Sequence, residues 1–426
     1  MKKKVFLLLS VFVFTITDSA TCQSKGNFSN KEGYTKDQLY DRLLGLLVGS
    51  AIGDAMGAPV EMWSRDGIQA DYGYISSPLP HSREASPERD WAYHLPAGAT
   101  TDDTRWKALV IKFVVQQQAQ ARRLDASDFC QLILDEYEKE VKSLNGVKGL
   151  QPEPYEAAAR RMQWLQEWAQ VAKPYAEKNY PAYFDALSHF YGGEMVCAGL
   201  LYAPAIGAYF PGKPRESYDV AWELSIFDLG YARDLTALTS ALVSVALTRN
   251  PTPETFWATL RGIDPYDFFK SRLVGRSSFR LYREAQEIVH QARQYVPRGN
   301  DYYIPQNFRG DTITFYQMRK AFDLLDNYNQ DMPFHAGEIY VINLTALLFS
   351  NLDFQKAMEF VVNFGRDNDT VGAVTGGILG ANHGFQKLPA DKNQVMEVNK
   401  TTLGIDLAAL AHELTDAVWS TSDTKK

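Results

Sequence analysis

Two short acidic clusters carry the residue types best suited to chemistry in this 426-residue sequence. The first is TDDT at positions 101–104, and the second is DNDT at positions 367–370. Carboxylate and hydroxyl oxygens are the ligands that hard cations such as Mg2+ and Mn2+ prefer, so both clusters could hold metal. A simpler interpretation is open for each cluster taken alone, because threonine and aspartate are also favoured at the first positions of helices.

Two motifs known from other protein families partly match the sequence of the second cluster. The D-x-D-x-[TV] sequence pattern matches the nucleophile loop of haloacid dehalogenase phosphatases. That loop, however, follows a buried parallel strand and precedes most of its domain. An EF-hand calcium loop needs an oxygen ligand at its fifth position and a glutamate at its twelfth, where this chain has Val371 and Ile378. The first motif does not fit because this cluster lies late in a helical chain, and the second fails because two of its ligands are missing.

A helical period dominates the elements that must position these clusters. Thr35 and Gln38 form a predicted capping box, and an apolar stripe follows as far as 57–59. Proline-rich and aromatic-rich segments at 151–154 and 300–307 are interpreted as breaks between helices. No series of alternating strands is evident, so the sequence predicts an all-α fold with a single large helical domain at 35–420 that carries loop and helix insertions. Further helices are predicted at 105–118, 128–143, 155–173, 232–247, 279–295, 317–327, 339–350, 354–364 and 407–418.

Glycines recur every fourth residue in two of the predicted helices. One stripe lies at 45, 49, 53 and 57, and the other at 372, 376, 380 and 384. Each glycine costs about 1 kcal/mol relative to alanine in a helix interior, so the stripes require a packing reason such as close approach of two helices. The first stripe ends beside Asp54 and Glu61, and the second begins beside the cluster at 367–370. The glycine stripes therefore predict a tightly packed acidic centre.

Composition narrows the functional classes. Asp and Glu together number 51 against 44 Lys and Arg, and the net charge of -7 has the wrong sign for binding a nucleic-acid backbone. Hydrophobic residues make up 45% of the chain, which is enough for a substantial core and excludes intrinsic disorder. Three cysteines without a C-x-x-C spacing predict neither a disulfide framework nor a thiolate zinc site. Because of the negative net charge, we expect no nucleic-acid partner.

The N-terminus has the order of a secretory signal. Three lysines at 2–4 precede an apolar run at 5–16 and the small residues near Ala20. We expect residues 1–21 to be a signal peptide and 22–34 to be a tether. Cys22 lies where the lipidated cysteine of a bacterial lipoprotein would lie, although ordinary cleavage near Ala20 is also open. The expected location is exported, either periplasmic or as a membrane-anchored lipoprotein, with the lipid as the only membrane contact.

Three motifs resemble those of the ADP-ribosylglycohydrolase family, which includes dinitrogenase-reductase-activating glycohydrolase and the ADP-ribosyl-acceptor hydrolases. They are G-x-x-x-G-x-A-x-G-D-A-x-G-A-P-x-E at 45–61, T-D-D-T at 101–104 and G-R-D-N-D-T-V-G-A-x-x-G-x-x-x-G-A at 365–381. The motifs occur in the order of the family and at roughly its spacing. The resemblance implies an all-α fold and a binuclear magnesium centre with two Mg2+ ions, or Mn2+ in their place.

The resemblance also implies roles for individual residues. It assigns one set of metal ligands to Thr101, Asp102 and Asp103, and the other set to Asp367, Asp369 and Thr370. Glu61 matches the acidic residue at the edge of the metal site. Glu61 and Asp367 are the candidates for proton transfer in catalysis, and the sequence does not separate their roles.

The implied reaction is hydrolysis of an N- or O-glycosidic bond of an ADP-ribosyl or related ribosyl substrate, either a small molecule or protein-linked. The alternative is a catalytically inert ADP-ribose-binding or metal-binding protein that keeps the scaffold. Two segments depart from the family pattern. The stretch at 192–199 lacks the Asn and Arg that contact phosphates in members acting on ADP-ribosyl-arginine, and 230–234 replaces a histidine loop. We therefore expect the metal site and the ribose chemistry to persist with another leaving group or another glycoside.

Overall fold

The computed structural model describes residues 34–82, 94–146, 152–249, 251–299 and 301–421, and this part of the chain is mainly helical. Its only sheet is a two-residue antiparallel pair, His81–Ser82 (β1) with His94–Leu95 (β2). The prediction of an all-α fold is confirmed. The predicted signal peptide, Cys22 and nearly all of the tether lie outside the described residues.

The α-helices of the described part are Lys36–Gly57 (α1), Arg65–Asp71 (α2), Asp102–Ala119 (α3), Ala126–Asn145 (α4), Pro152–Ala176 (α5), Tyr180–His189 (α6), Ala198–Tyr209 (α7), Pro214–Leu224 (α8), Ala232–Ala246 (α9), Pro253–Gly262 (α10), Ser277–Gln294 (α11), Thr312–Leu325 (α12), Ala336–Phe349 (α13), Phe354–Phe364 (α14), Asn368–His383 (α15), Lys392–Thr402 (α16) and Leu407–Thr421 (α17). Short 3-10 turns lie at Ala58–Val60, Phe190–Gly193, Phe268–Lys270, Asp326–Tyr328 and Phe385–Lys387.

Residues at the first positions of α1 and α5 explain where these two helices begin. The predicted capping box is present, because the Thr35 side chain accepts from the Gln38 backbone N–H and the Gln38 side chain accepts from the Thr35 N–H. The interpretation of 151–154 as a break is wrong, since Pro152 opens α5. A proline in the first helical turn lacks an N–H that would have no partner there, so it starts the helix rather than interrupting it.

Six helices were not expected from the sequence, namely α2, α6, α7, α8, α10 and α16. In α7 the described residues are buried all round, from Ala198 to Ala208, so the pattern has no polar face and no helical period. This helix also contains Pro204. Helices α2, α6 and α10 span only seven to ten residues, which gives a short window in which to recognise a period.

The two glycine-striped helices, α1 and α15, pack against each other along their length at the centre of the molecule. A Cβ added to Gly49 would lie 2.5 Å from the carbonyl oxygen of Gly376, and one added to Gly45 would lie 2.5 Å from that of Gly380. Real Cβ contacts are essentially never this short, so the glycines are needed for the approach. The segment Lys36–Val60 is the one described helix long and apolar enough to cross a membrane, and its apolar window is entirely buried in the protein.

Other helices enclose this central pair and fix α3 against it. Helix α1 also contacts α3 and α17, while α15 contacts α9, α13 and α14. Trp106 of α3 is fully buried, and its ring centroid lies 3.9 Å from that of Trp168 on α5 and 6.2 Å from that of Tyr202 on α7. This aromatic cluster anchors α3 immediately after the acidic residues at its start.

Candidate metal centre

Three helix ends meet at one place: the C-terminal end of α1 and the N-terminal ends of α3 and α15. Gly57, the last residue of α1, packs on the backbone of Asp369 so closely that a side chain there would overlap it. One turn earlier, Asp54 accepts hydrogen bonds from the start of α3. The structure thereby places the two acidic clusters side by side, although they are more than 260 residues apart in sequence.

Asp54 is the fully buried carboxylate that joins α1 to α3. Its Oδ1 accepts the Thr101 N–H at 2.9 Å, and its Oδ2 accepts the Thr104 N–H at 3.1 Å and the Thr104 hydroxyl at 2.6 Å. Burial and the neighbouring Asp369 carboxylate raise the pKa of Asp54 to about 7, against the lowering effect of the Thr104 hydrogen bond. With three donors already bound, Asp54 positions the first cluster.

Among the described residues, a tight group of carboxylates is formed by the second cluster together with Glu61. One oxygen each from Glu61, Asp367 and Asp369 lies within 4.8 Å of the others. Asp367 occupies the N-cap position of α15, but its side chain makes no capping hydrogen bond to that helix. Burial, and then the carboxylates of Asp369 and Glu61, raise the pKa of Asp367 well above its ordinary value. The repulsion within such a group of like charges is relieved by a bound cation or by protonation of some of the carboxylates.

Backbone pairing holds Glu61 beside this group. The Met62 N–H donates to the Arg366 carbonyl oxygen at 2.7 Å, and the Arg366 N–H donates to the Trp63 carbonyl oxygen at 2.9 Å. Gly365 has a φ of 89°, a value that L side chains rarely adopt, and its packing on the Trp63 carbonyl leaves no room for a Cβ. The glycine is the C-cap of α14, and its ψ of -149° differs from that of the common left-handed helical cap.

The first cluster combines helix capping with proximity to the second. Thr101 is the N-cap of α3, and its hydroxyl accepts the Asp103 N–H at 3.3 Å. Asp103 is buried, and its Oδ2 accepts the hydroxyl of Thr370 at 3.1 Å. Asp102 is partly exposed, and its charge is one of those that raise the pKa of Asp103. The capping interpretation of this tetrapeptide is thus correct, and it coexists with a place in the acidic centre.

Four residues around the centre were not among the predicted site residues, namely Lys107, Cys197, Glu338 and Arg366. Lys107 is buried in α3 one turn after Asp103. The Cys197 thiol lies 3.9 Å from Oδ2 of Asp367. Arg366 makes a two-pronged ion pair with the buried Glu338, through Nε at 2.7 Å and Nη2 at 2.9 Å. The sequence signal for Lys107 was its position four residues after Asp103 in an otherwise apolar stretch, where a buried charge needs a partner.

The residues present fit divalent cations of the hard class. The donors are carboxylate and hydroxyl oxygens, which suit Mg2+ and Mn2+. Oδ1 of Asp103 is buried and accepts no hydrogen bond from the described residues, and the Lys107 ammonium lies 3.6 Å from it, beyond hydrogen-bond distance. Cys197 is the one soft donor in contact with these ligands among the described residues, and burial followed by the Asp367 charge raises the pKa of its thiol.

The two segments that depart from the family pattern have different surroundings. The stretch at 192–199 pairs with the loop before α13, where the Cys197 N–H donates to the Phe334 carbonyl at 3.0 Å and the Ala336 N–H donates to the Met195 carbonyl at 2.9 Å. It therefore borders the centre at Asp367. In 230–234, Asp234 is buried in an ion pair with Arg276 at 2.8 Å.

The sequence and the fold are similar to those of known proteins. A family model described as ADP-ribosylglycohydrolase matches residues 35–423. The uncharacterized protein YegU of Escherichia coli (strain K12) is 41% identical over 64 residues, which are 15% of this chain and 18% of that protein. The chain therefore matches less than a fifth of that relative's length.

A solved structure titled "ADP-ribosylglycohydrolase-related protein complex" superposes with a TM-score of 0.52 at 19% identity, over 90% of this chain and 99% of that chain. At this identity the likeness shows the fold alone. The family model, by contrast, spans most of the chain and includes every residue of the acidic centre. The protein therefore belongs to the ADP-ribosylglycohydrolase family, a family of glycosidic hydrolases that are typically metal-dependent.

Proposed function

We propose that this protein is a metal-dependent hydrolase that cleaves the N- or O-glycosidic bond of an ADP-ribosyl or related ribosyl substrate. The observation that carries the proposal is the group formed by Glu61, Asp367 and Asp369, with carboxylate oxygens within 4.8 Å of one another. Asp103 and Thr370 join the two clusters through a 3.1 Å hydrogen bond beside it. Such a concentration of buried acid is costly without a cation, so function rather than folding is its better explanation.

Two Mg2+ or Mn2+ ions would be held by Thr101, Asp102 and Asp103 and by Asp367, Asp369 and Thr370. When bound, they supply Lewis acidity toward ribose hydroxyls and a water molecule. This donor assignment follows the family motifs and is supported by the oxygen chemistry of the residues that meet at the centre.

The chain's own carboxylates would carry the proton transfers. Glu61 is partly exposed at the edge of the centre, where it can accept a proton from the attacking water. Asp367 is buried with an oxygen within 4.8 Å of oxygens of Glu61 and Asp369, so it is the second carboxyl placed to transfer a proton, here to the departing group. Cleavage through an oxocarbenium-like transition state requires both functions, and either residue could serve in either role.

A substrate panel tests the reaction class. The protein from Ser24 onward would be given ADP-ribosyl-arginine, O-acetyl-ADP-ribose and simpler ribosides, with and without Mg2+ or Mn2+. We expect metal-dependent release of the free sugar moiety from at least one of them. Asp102→Asn should lose this activity, while Asp135→Asn, an exposed acid on α4, should retain it. Metal binding without cleavage of any substrate would favour the inert binding protein instead.

The pH profiles of two variants separate the proton-transfer roles. A general base is needed ionised and a general acid protonated, so their loss removes opposite limbs of a bell-shaped profile. We expect Glu61→Gln to remove the limb at low pH and Asp367→Asn the limb at high pH. The reverse result would exchange the two roles, and unchanged profiles for both variants would exclude them.

Export is part of the proposal and rests on the sequence alone. We propose that residues 1–21 are removed as a signal peptide and that Cys22 either becomes lipidated or follows ordinary cleavage near Ala20. The mass of the mature protein from its native host distinguishes these two outcomes. A mature protein that retains residues 1–21 would contradict both.

A further inference from the structure

The segment between α10 and α11 exposes a row of large apolar side chains. Leu273 and Val274 are 87% and 67% exposed, and Tyr266 and Phe269 before them are 49% and 39% exposed. Single exposed apolar residues are common on protein surfaces, but four within nine consecutive residues are a concentration typical of an interaction surface. We call residues 266–274 the apolar loop.

A buried arginine fixes the conformation of the apolar loop. The side chain of Arg276 is fully buried, pairs with Asp234 at 2.8 Å and donates to carbonyl oxygens at the C-terminal end of α10. Just before the loop, the Asp264 carboxylate accepts the N–H groups of Phe268 and Phe269 at 2.9 and 3.1 Å. The apolar side chains are therefore exposed by a backbone conformation that hydrogen bonds hold in place.

Two arginines at the apolar loop carry charges that no acidic residue of the described chain neutralises. Arg272 lies within the loop, and the Arg261 guanidinium lies 5.8 Å from the ring centroid of Phe269. Among the described residues neither arginine forms an ion pair, whereas the exposed Asp267 is paired with Lys270 at 2.9 Å. The acids of the adjacent helix α8 are each in an ion pair as well. The loop is therefore locally cationic on a chain whose net charge is -7.

This combination of side chains fits a bilayer of anionic lipids. Aliphatic side chains of an exposed turn enter the acyl boundary, aromatic rings lie at the level of the headgroups, and arginines contact lipid phosphates. Leu273 and Val274 supply the aliphatic groups. Tyr266 and Phe269 supply the rings, and Arg272 supplies a cation. A stable protein partner would need about 800 Å2 of surface with few charges at its core, which one loop of nine residues does not provide.

The beginning of the described chain lies close to α10, the helix that leads into the apolar loop. The Tyr34 hydroxyl donates to the Thr248 carbonyl oxygen at 2.6 Å. Thr248 lies five residues before α10, whose ten residues give a length of about 15 Å, and the loop starts four residues after α10 ends. Residues 22–33 would span at most about 40 Å if fully extended. A lipid on Cys22, as proposed above, can therefore reach a membrane on which the apolar loop rests.

We propose that the apolar loop is a membrane-contact site that binds a surface of anionic phospholipid. Leu273 and Val274 insert at the acyl boundary, and Arg261 and Arg272 lie against the headgroup phosphates. The loop adds a second membrane contact to the lipid expected at Cys22 and holds this face of the protein against the bilayer. This contact is independent of the proposed hydrolase activity and of the metal centre.

Flotation with lipid vesicles tests the loop in the absence of a lipid anchor. The protein from Ser24 onward contains every described residue and lacks both Cys22 and the apolar run at 5–16. It would be mixed with phosphatidylcholine vesicles that contain phosphatidylglycerol, or with vesicles of phosphatidylcholine alone. We expect binding to the anionic vesicles that is at least about tenfold stronger than binding to the neutral ones, and that is largely lost in about 0.5 M NaCl.

The double variant Leu273→Ser/Val274→Ser isolates the apolar contribution. Both side chains are exposed, so the fold is retained, while the partition coefficient onto anionic vesicles should fall by about tenfold or more. Val296→Ser/Ile313→Ser is the matched control, because these two aliphatic residues are 74% and 56% exposed outside the loop, and it should bind as the wild type does. Arg272→Gln should weaken binding to anionic vesicles by about fivefold and leave binding to neutral vesicles unchanged.

Three results would overturn the proposal: a wild type that binds no anionic vesicles, equal binding to anionic and neutral vesicles, or a double serine variant that binds as tightly as the wild type. Analytical ultracentrifugation without lipid tests a second copy of the chain as the occupant. We expect the wild type and Leu273→Ser/Val274→Ser to sediment as the same species. Self-association of the wild type that the double variant loses would assign the apolar loop to a contact between copies and overturn the membrane site.

Discussion

Gly53 and Gly372 lie back to back at the crossing of α1 and α15, where a Cβ on Gly372 would come 2.5 Å from the carbonyl oxygen of Gly53. Asp54 follows Gly53 in α1, and Asp369 precedes Gly372 by one turn in α15. The charge of Asp369 contributes to the raised pKa of Asp54. The glycine contact therefore sets the spacing of the carboxylates as well as the packing of the core.

Substitution of Gly372 by alanine should disturb this contact. The new methyl group meets backbone atoms of Gly53 on a rigid helix, so we expect destabilisation of at least about 2 kcal/mol in chemical denaturation, typical of an overpacked core. Gly262→Ala at the end of α10 is the control, because no atom lies within 4 Å of its added Cβ. That variant should be unchanged or stabilised by up to about 1 kcal/mol. Equal stability of both variants would show that the close approach is not required.

The pair of Arg366 and Glu338 should be energetically coupled. Glu338 is buried and also accepts the Gln330 N–H at 2.7 Å, so Arg366→Ala leaves a buried carboxylate without its charged partner. We expect a loss of about 3 kcal/mol in unfolding free energy, and a double variant with Glu338→Ala that loses much less than the sum of the single losses.

The exposed pair of Arg215 and Asp219 serves as the control for this cycle. Its coupling should stay below about 1 kcal/mol, as is usual for surface ion pairs. Additive losses for Arg366→Ala and Glu338→Ala would contradict the expected coupling at the centre.

The stability of the metal-free protein should depend on pH through the buried acids. Burial raises the pKa of Asp54 from 3.8 to about 7, and the pKa of Asp103 and of Asp367 shift in the same direction. The folded state thus binds these protons more tightly than the unfolded chain. Their contribution is fully present below about pH 4 and is lost as pH rises through about 7.

Bound metal should reverse this trend, because cations compete with protons for the same oxygens. We expect the difference in Tm between metal-loaded and metal-free protein to increase between about pH 5 and about pH 8. Differential scanning calorimetry at both pH values, with Mg2+ and with EDTA, measures it. A difference that is constant with pH would contradict the assignment of these carboxylates as ligands.

The two described cysteines should be unreactive in the native protein. Cys130 and Cys197 are free and buried, and burial raises the pKa of both thiols. In a Cys22→Ser variant, a thiol reagent such as Ellman's reagent should therefore react only as fast as the protein unfolds. Rapid reaction of either thiol at neutral pH would show that the region around it opens in the native state.

The sequence predicted the central architecture because its causes are local and repetitive. The capping box at Thr35, the amphipathic period of α14 and the two glycine stripes each depend on neighbouring residues, and the structure contains all three. The all-α class and the positions of the long amphipathic helices followed from these patterns. The apolar helix α7 and the proline start of α5 were not recognised, since the first has no polar face and the second begins with a residue that usually ends helices.

Contacts between distant segments set the remaining features of the centre. The spelling of TDDT does not show that Asp54 accepts three hydrogen bonds from Thr101 and Thr104, nor that Lys107 is buried against Asp103. Likewise, the pairing of Arg366 with Glu338 joins α13 to the loop before α15. Such partners become visible only when the helices are packed, whereas the ligand types themselves could be recognised from residue chemistry.

The most direct test of the proposed function is the metal requirement of glycosidic cleavage, measured as free ADP-ribose released from ADP-ribosyl substrates with Mg2+ and with EDTA. We expect the wild type to release ADP-ribose only with metal, and we expect this release to fall by about a hundredfold or more in Asp369→Asn. Release that is unaffected by EDTA and by Asp369→Asn would contradict the proposed function.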